Sequence, residues 1–318
     1  MKKSISSILL AFSLGITLIS SCKKKEEEQK LDTETQQFNT DANNYKSESD
    51  QADNDINNSL NSYPSFGRVA GVVSSPLCGA TVDTSQLSQK ILIFNFDGVT
   101  PCFSPSRTRS GQIKVQLTSG AFWHDAGSVL TETFINFKVT RLSDNKSVMF
   151  NGVKTLKNMN GNNWIGFLLG TSTLKYQERA FNIHVTFDNA TATWNTAHIT
   201  EWSYTPSASS PYSDKEAFIT FTAIGDTTLN GFNNVSAWGV NRFGQNFTTY
   251  YNSSILSNTY CGLWRPNQGE LVHNVNNSDF TLSLGVDQSG NPTPYACAYG
   301  YKVAWTSNGN TGSVILSY

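Results

Sequence analysis

Short runs in which apolar and polar residues alternate recur from Tyr63 onward, and they leave this chain little choice of fold. Ile113, Val115 and Leu117; Phe137 and Val139; Phe181, Ile183, Val185 and Phe187; Phe280, Leu282 and Leu284; and Tyr301, Val303 and Trp305 each occupy alternate positions. That is the period at which β side chains return to one face. Asn151-Gly152, Asn160-Gly161, Asn230-Gly231, Ser289-Gly290-Asn291 and Asn308-Gly309 supply the residues that tolerate positive φ in tight turns. The expected fold is mainly β: an antiparallel meander forming a sandwich, curved sheet or partial barrel, with one N-terminal helix.

The helix is expected in the polar stretch that precedes the strands. From Lys23 to Leu60 there is no Gly or Pro, and Asn, Asp, Glu, Gln and Ser dominate, a composition that also fits a disordered linker. Phe38, Ala42, Tyr45, Ser49, Ala52, Ile56, Ser59 and Tyr63 nevertheless recur at alternating steps of four and three, the spacing of one helix face. Pro64 and Gly67 end the pattern. Asn and Asp form helices poorly, so such a helix is marginal unless it docks on the β region.

Charge narrows the partners. The stretch 22–62 holds five lysines against five Asp and five Glu, a net of −5; with Lys2 and Lys3 set aside, the rest of the chain lies near +2 within a total of −1. A nearly neutral β region lacks the concentrated basic face that nucleic acid requires, so no nucleic-acid partner is expected.

The first residues read as a targeting segment. Lys2 and Lys3 precede an apolar run from Ile8 to Ile19, too short for the roughly 20 residues of a spanning helix. Leu18-Ile19-Ser20-Ser21-Cys22 resembles the lipobox of bacterial lipoproteins. That resemblance implies cleavage before Cys22, diacylglyceryl modification of its thiol, further acylation or a free new amino terminus, and attachment to a membrane through lipid. Lys23-Lys24-Lys25-Glu26-Glu27-Glu28 follows. This block is similar to the acidic export signal of Bacteroidota surface lipoproteins, with the departure that three lysines come first. It implies a cell-envelope location on the outer membrane, surface-exposed or facing the periplasm. The domains are then 1–21, a signal peptide; 22–62, a charged tether and helix; and 63–318, a β-rich domain.

A weak internal repeat spans 78–120 and 261–309. Cys78-Gly79 leads to the strand Ile91 to Phe96, then Asp97, Cys102 and the run from Gly111 to Gly120. Cys261-Gly262 leads to Phe280 to Leu284, then Asp287, Cys297 and the run from Gly300 to Gly309. Four cysteines allow three pairings, and the repeat favours Cys78 with Cys102 and Cys261 with Cys297. Free thiols and a metal site are the rival uses; the absence of Cys-x-x-Cys and of neighbouring histidine argues against metal.

Most of the chain after Cys22 is similar to a class of uncharacterised Bacteroidota lipoproteins. The likeness rests on the lipobox, the acidic helix ending in Asp55-Ile56, the segments Arg109 to Val115 and Phe134 to Val139, and Cys261 with Cys297. It implies architecture and location and carries no activity.

No Gly-x-Ser-x-Gly elbow, phosphate loop or dinucleotide fingerprint occurs. No catalytic residue, cofactor or metal is expected. His124-Asp125 belongs in a turn, His184 on a solvent-facing strand position, and His273 on a short strand with no evident partner. Trp194, His198, Glu201 and Trp202 form the candidate ligand surface, although a metal would need a third ligand that this stretch lacks. Trp238, Trp264, Tyr250 and Tyr251 could extend an aromatic platform for sugars. Asp97, Asp125, Asp188, Glu201 and Asp214 are the acids that a glycoside hydrolase could use. The leading expectation is a non-enzymatic binding or structural protein of the envelope; the alternatives are a hydrophobic-ligand or lipid carrier and a carbohydrate-active surface protein.

Overall fold

A computed structural model describes residues 33–318 apart from 35, 68–76, 103–105, 162–166, 168, 171–172, 264 and 308–309. The expected signal segment 1–21, Cys22, the Lys23–Glu28 block, Trp264 and Asn308-Gly309 lie outside the described residues. The protein is mainly β with one helix near its N-terminus, and its antiparallel strands build a partial small barrel with further strands outside it. The chain divides into two compact units, Met1–Ser49 and Asp50–Tyr318.

The helix, α1, covers 36–60. Within the first unit Gln37 donates to Asp41 one turn on, and the Thr40 hydroxyl donates to the Gln36 carbonyl. Within the second unit its buried residues are Ala52, Ile56, Ser59 and Leu60, which continue the stripe read from the sequence and add Leu60 to it. Tyr63 is half-buried, and Pro64–Phe66 form a single turn closed by Gly67 in the left-handed region. The unit that holds the sheet begins inside the helix, at Asp50. Side chains of the helix within the second unit bond to the strands.

One 15-stranded sheet contains β1 (Ala80–Asp83), β2 (Ile91–Asp97), β3 (Arg107–Ser119), β4 (Val129–Arg141), β5 (Ser147–Asn158), β6 (Leu174–Phe187), β7 (Ala190–Thr205), β8 (Phe218–Gly225), β9 (Thr227–Leu229), β10 (Phe232–Val240), β11 (Asn246–Asn258), β12 (Gln268–Val275), β13 (Ser278–Val286), β14 (Gly300–Ser307) and β15 (Asn310–Ser317). Nearly every strand pairs with its sequence neighbour. The exception lies between β7 and β11, each of which is shared: one part of β7 pairs with β10 and its last residues with β8, and β11 divides likewise. Two-residue turns at Asn230-Gly231, as expected, and at Asn276-Asn277 have both residues at positive φ, the geometry of tight hairpins.

A line of bulges crosses the long strands. Register shifts fall at Ser110/Gln112, Phe134/Phe137, Asn151/Val153 and Ala180/Ile183 in successive strand pairs. Asn136 and Asn182 sit there at φ +48 and +55. Their backbone N–H groups donate to the side-chain oxygens of Asn151 and Asn195 on the next strand, at 2.7 and 2.8 Å. Asn151-Gly152 is thus part of this line in the middle of β5 and not a turn. Each bulge inserts a residue and bends the sheet.

A bulge also reverses which face a side chain meets. On β4 the buried residues are Leu130, Glu132 and Phe134 before the bulge and Phe137 and Val139 after it. On β6 they are Leu174, Glu178 and Ala180 before it and Ile183, Val185 and Phe187 after it. Phe181, read as core by simple alternation with Ile183, is instead 54% exposed. Ile113, Val115, Leu117, Phe280, Leu282 and Val303 are buried as their period requires, with Leu284, Tyr301 and Trp305 half-buried. Rings of Phe96, Phe134, Phe137 and Phe150 make one aromatic core, and Phe187, Trp194 and Phe247 another.

Both cysteine pairs are bridged, Cys78 to Cys102 and Cys261 to Cys297. The two segments share more than cysteine order. Gly111 pairs with Phe96 and Gly300 with Val286, and in each case the next residue, Asp97 or Asp287, caps the turn that follows. Hydrogen bonds from Thr100 and Val99 hold the Asp97 carboxyl below its ordinary range, and those from Asn291, Ser289 and Gly290 do the same for Asp287. A Cβ on Gly111 would lie 2.1 Å from the Asn136 carbonyl oxygen, and one on Gly300 1.7 Å from that of Leu316.

Gly111→Ala should therefore cost on the order of 3 kcal/mol, since it adds a backbone clash to a left-handed φ. Urea unfolding should show a lower midpoint at unchanged slope; a midpoint equal to that of the unaltered protein would refute the role given to this bulge.

Candidate functional site

The phase reversals place ionisable side chains inside the sheet. Glu132 on β4 pairs in register with Lys154 on β5, and Lys154 with Ala180 on β6. One row along, Glu178 on β6 is opposite His198 on β7. All four charged or ionisable side chains are buried, Glu132 and Lys154 to within 1% of full burial. From α1, Asp53 forms an ion pair with Lys154. The same ammonium lies 3.4 Å from Glu132 Oε2 and 3.9 Å from Glu178 Oε2, and it faces the Phe134 ring at 5.3 Å.

His198 Nε2 lies 3.6 Å from Glu178 Oε2, and the Thr196 hydroxyl donates to Glu178 Oε1 at 3.0 Å. Asp50, half-buried on α1, brings a third ligand-type side chain: one donor atom each from Asp50, Glu178 and His198 lie within 4.8 Å of one another. Neither oxygen of Glu132 has a hydrogen-bond partner among the described residues.

Burial and neighbouring charge both act on the protons here. Burial, countered only in part by Lys154 and reinforced by Glu132 and Glu178, holds the Asp53 carboxyl well above its ordinary range. Burial opposes the charge on Lys154, but Asp53, Glu178 and Glu132 outweigh it and hold the ammonium well above its own. Both shifts run upward: for the carboxyl because burial leaves its charge no water to spread into, and for the ammonium because carboxyls crowd it.

Three further contacts tie the same part of α1, and Asn61 just past its end, to the sheet and its loops. Arg109, 2% exposed, donates to Asp55 at 2.5 Å and to the Cys78 carbonyl at 2.7 Å, with its guanidinium over Phe96. The Trp123 indole donates to Asn57 at 2.6 Å. His124 Nε2 meets the Asn61 oxygen at 2.9 Å, and burial pulls its pKa below the ordinary value.

The residues singled out from the sequence scatter. Trp194 and His198 are buried. Glu201, paired with Lys175 at 3.4 Å, and Trp202, packed on Phe221, are half-buried neighbours that alternate faces of β7. Trp238 packs on Phe181, Tyr250 stacks on Phe232, and Tyr251 is core, so these aromatics form no common platform with Trp194.

Asp97 caps a turn, Asp125 accepts from the Phe122 N–H, Asp188 from the Ser147 N–H, and Asp214 from the Tyr260 hydroxyl. The carboxyls that do meet are Asp50, Asp53, Glu132 and Glu178, which none of the sequence patterns selected. A signal for two of them exists: Phe134-Ile135-Asn136-Phe137-Lys138-Val139 and Ala180-Phe181-Asn182-Ile183-His184-Val185 carry the same order of apolar residues around an asparagine, and that asparagine is the bulge that turns Glu132 and Glu178 inward. His184 is exposed as expected. His273, expected to lack a partner, is buried and meets the Thr249 hydroxyl through Nδ1 at 2.8 Å. No family model, curated protein or solved structure matches this chain.

Lys154→Met should cost about 3–5 kcal/mol, because it leaves buried carboxylates uncompensated. Lys175→Met, which breaks an exposed pair, should change stability by no more than about 1 kcal/mol. Equal effects in denaturant titrations would refute a special role for the buried ammonium.

His273 yields a pH dependence. Burial pulls its pKa from 6.5 down to about 3, so the folded state keeps it neutral while the unfolded state binds a proton. Its contribution is fully present above pH 6.5 and is lost as pH falls toward 3, at about 1.4 kcal/mol per pH unit. In His273→Gln that component of the slope should vanish; an unchanged slope would show that other groups produce it.

Proposed function

We propose that this is a lipid-anchored protein of the cell envelope that binds a ligand or a neighbouring envelope component without transforming it. The observation that carries the location is the pair of disulfides, since such bonds persist outside the reducing cytoplasm. The lipobox ending in Cys22 supports attachment by lipid, and among the described residues no helix is long and apolar enough to cross a membrane.

Binding is favoured over catalysis by where the ionisable groups are spent. The acids that meet are enclosed with Lys154, and those near the surface cap turns or form pairs. A hydrophobic-ligand carrier needs an apolar inner face, whereas the buried rows of β4 to β7 hold Glu132, Lys154, Glu178 and His198. Carbohydrate binding has one observation in its favour. Phe181 is exposed beside Trp238, with ring centroids 6.0 Å apart, and it is next to the exposed Val153 in register; exposed rings of this kind can stack on a sugar face.

In cells, Cys22→Ala should abolish lipid labelling and move the protein from the membrane to the soluble fraction. Unchanged detergent partitioning would reject the anchor. On a glycan array, Phe181→Ala should reduce any signal given by the unaltered protein; a blank array would leave an envelope component other than carbohydrate as the ligand.

A further inference from the structure

We propose that Asp50, Glu178 and His198 form a binding site for one divalent transition-metal ion of the zinc class, which clips the second unit's part of α1 to β6 and β7. Two carboxylates and an imidazole are a donor set suited to such an ion, and oxygen and nitrogen bonds to zinc of about 2.0–2.1 Å are usual. The 3.6 Å between His198 Nε2 and Glu178 Oε2 is the separation of two ligands bound to one ion at an angle of roughly 120°. Asp50 is the least buried of the three.

A second observation is independent of these ligands. Glu132 is 0% exposed and neither of its oxygens receives a hydrogen bond among the described residues, although it points at the same ammonium that approaches Glu178. Three carboxyl groups, of Asp53, Glu132 and Glu178, thus converge on the ammonium of Lys154, and Asp50 lies beside Glu178 and His198. A cation beside Glu178 would add positive charge where the buried carboxyls of Glu132 and Glu178 both approach one ammonium. The Thr196 hydroxyl already occupies Oε1 of Glu178 and leaves Oε2 toward His198, which is how an outer hydrogen bond orients a ligating carboxylate. His198 has no cysteine or second histidine beside it in sequence. Its partners come from another strand and from the helix.

The test uses the full mature protein, solubilised in detergent and stripped with chelator. ZnCl2 titrated by calorimetry, with bound metal counted by mass spectrometry after dialysis, should give one Zn2+ per chain and a raised Tm. His198→Gln should weaken binding at least tenfold, whereas His184→Gln, on an exposed strand position, should leave it unchanged. If circular dichroism shows that His198→Gln is unfolded, Asp50→Asn at the half-buried ligand takes its place with the same expectation. Absence of Zn2+ uptake at micromolar concentrations overturns the proposal. So does uptake by a folded His198→Gln or Asp50→Asn variant equal to that of the unaltered protein.

Discussion

An ammonium group enclosed within a β sheet has to be met by carboxylates, and at Lys154 that requirement reaches across the second unit. Two of its partners come from strands on either side and the third, Asp53, from the helix. Without the helix the group would face an incomplete shell, and desolvation would outweigh what two carboxylates return. The helix has a matching need. A sequence so rich in Asn and Asp holds a helix weakly by itself, and Asp53, Asp55, Asn57 and Asn61 each find a partner on the sheet or its loops. The residues that make the helix a poor one in water are those that fasten it.

That arrangement is possible because the sheet is not regular. Asn136 and Asn182 bulge β4 and β6, and the asparagines that accept their freed N–H groups belong to the next strands. Backbone satisfaction is preserved while the face of each strand reverses. Phenylalanines on one side of the line and acids on the other then share one interior. The bulge line bends the sheet and also decides which acids lie inside it.

Near the two ends of the strand order sit the bridged segments. In both, a glycine pairs with the last strand residue before a turn-capping aspartate, and a Cβ there would strike a neighbouring carbonyl. Each disulfide joins the chain ahead of a hairpin to the connection that follows it. Closing those loops reduces the freedom of the unfolded chain, by about 3 kcal/mol each in the entropic picture. The interior acids and the bridged ends are separate devices that hold one sheet.

Local chemistry alone determined much of this protein. Period-two runs such as Ile113-Val115-Leu117 pointed to half-buried strands, the spacing from Ala52 to Ser59 to a helix face, and Asn230-Gly231 to a tight turn; the repeated cysteine order favoured the bridges that form. Each of these depends on residues a few positions apart or on a pattern that repeats. The site was different. Reading back along β6 from Ile183 puts Phe181 inside and Glu178 outside, and one residue at positive φ inverts both. His198 appears beside Glu201 in sequence but meets Glu178 and Asp50 in space. Which faces point inward depends on bulges accumulated strand by strand, and which charges meet depends on a helix docking far along the chain. Both are properties of register and packing, which only the tertiary structure decided.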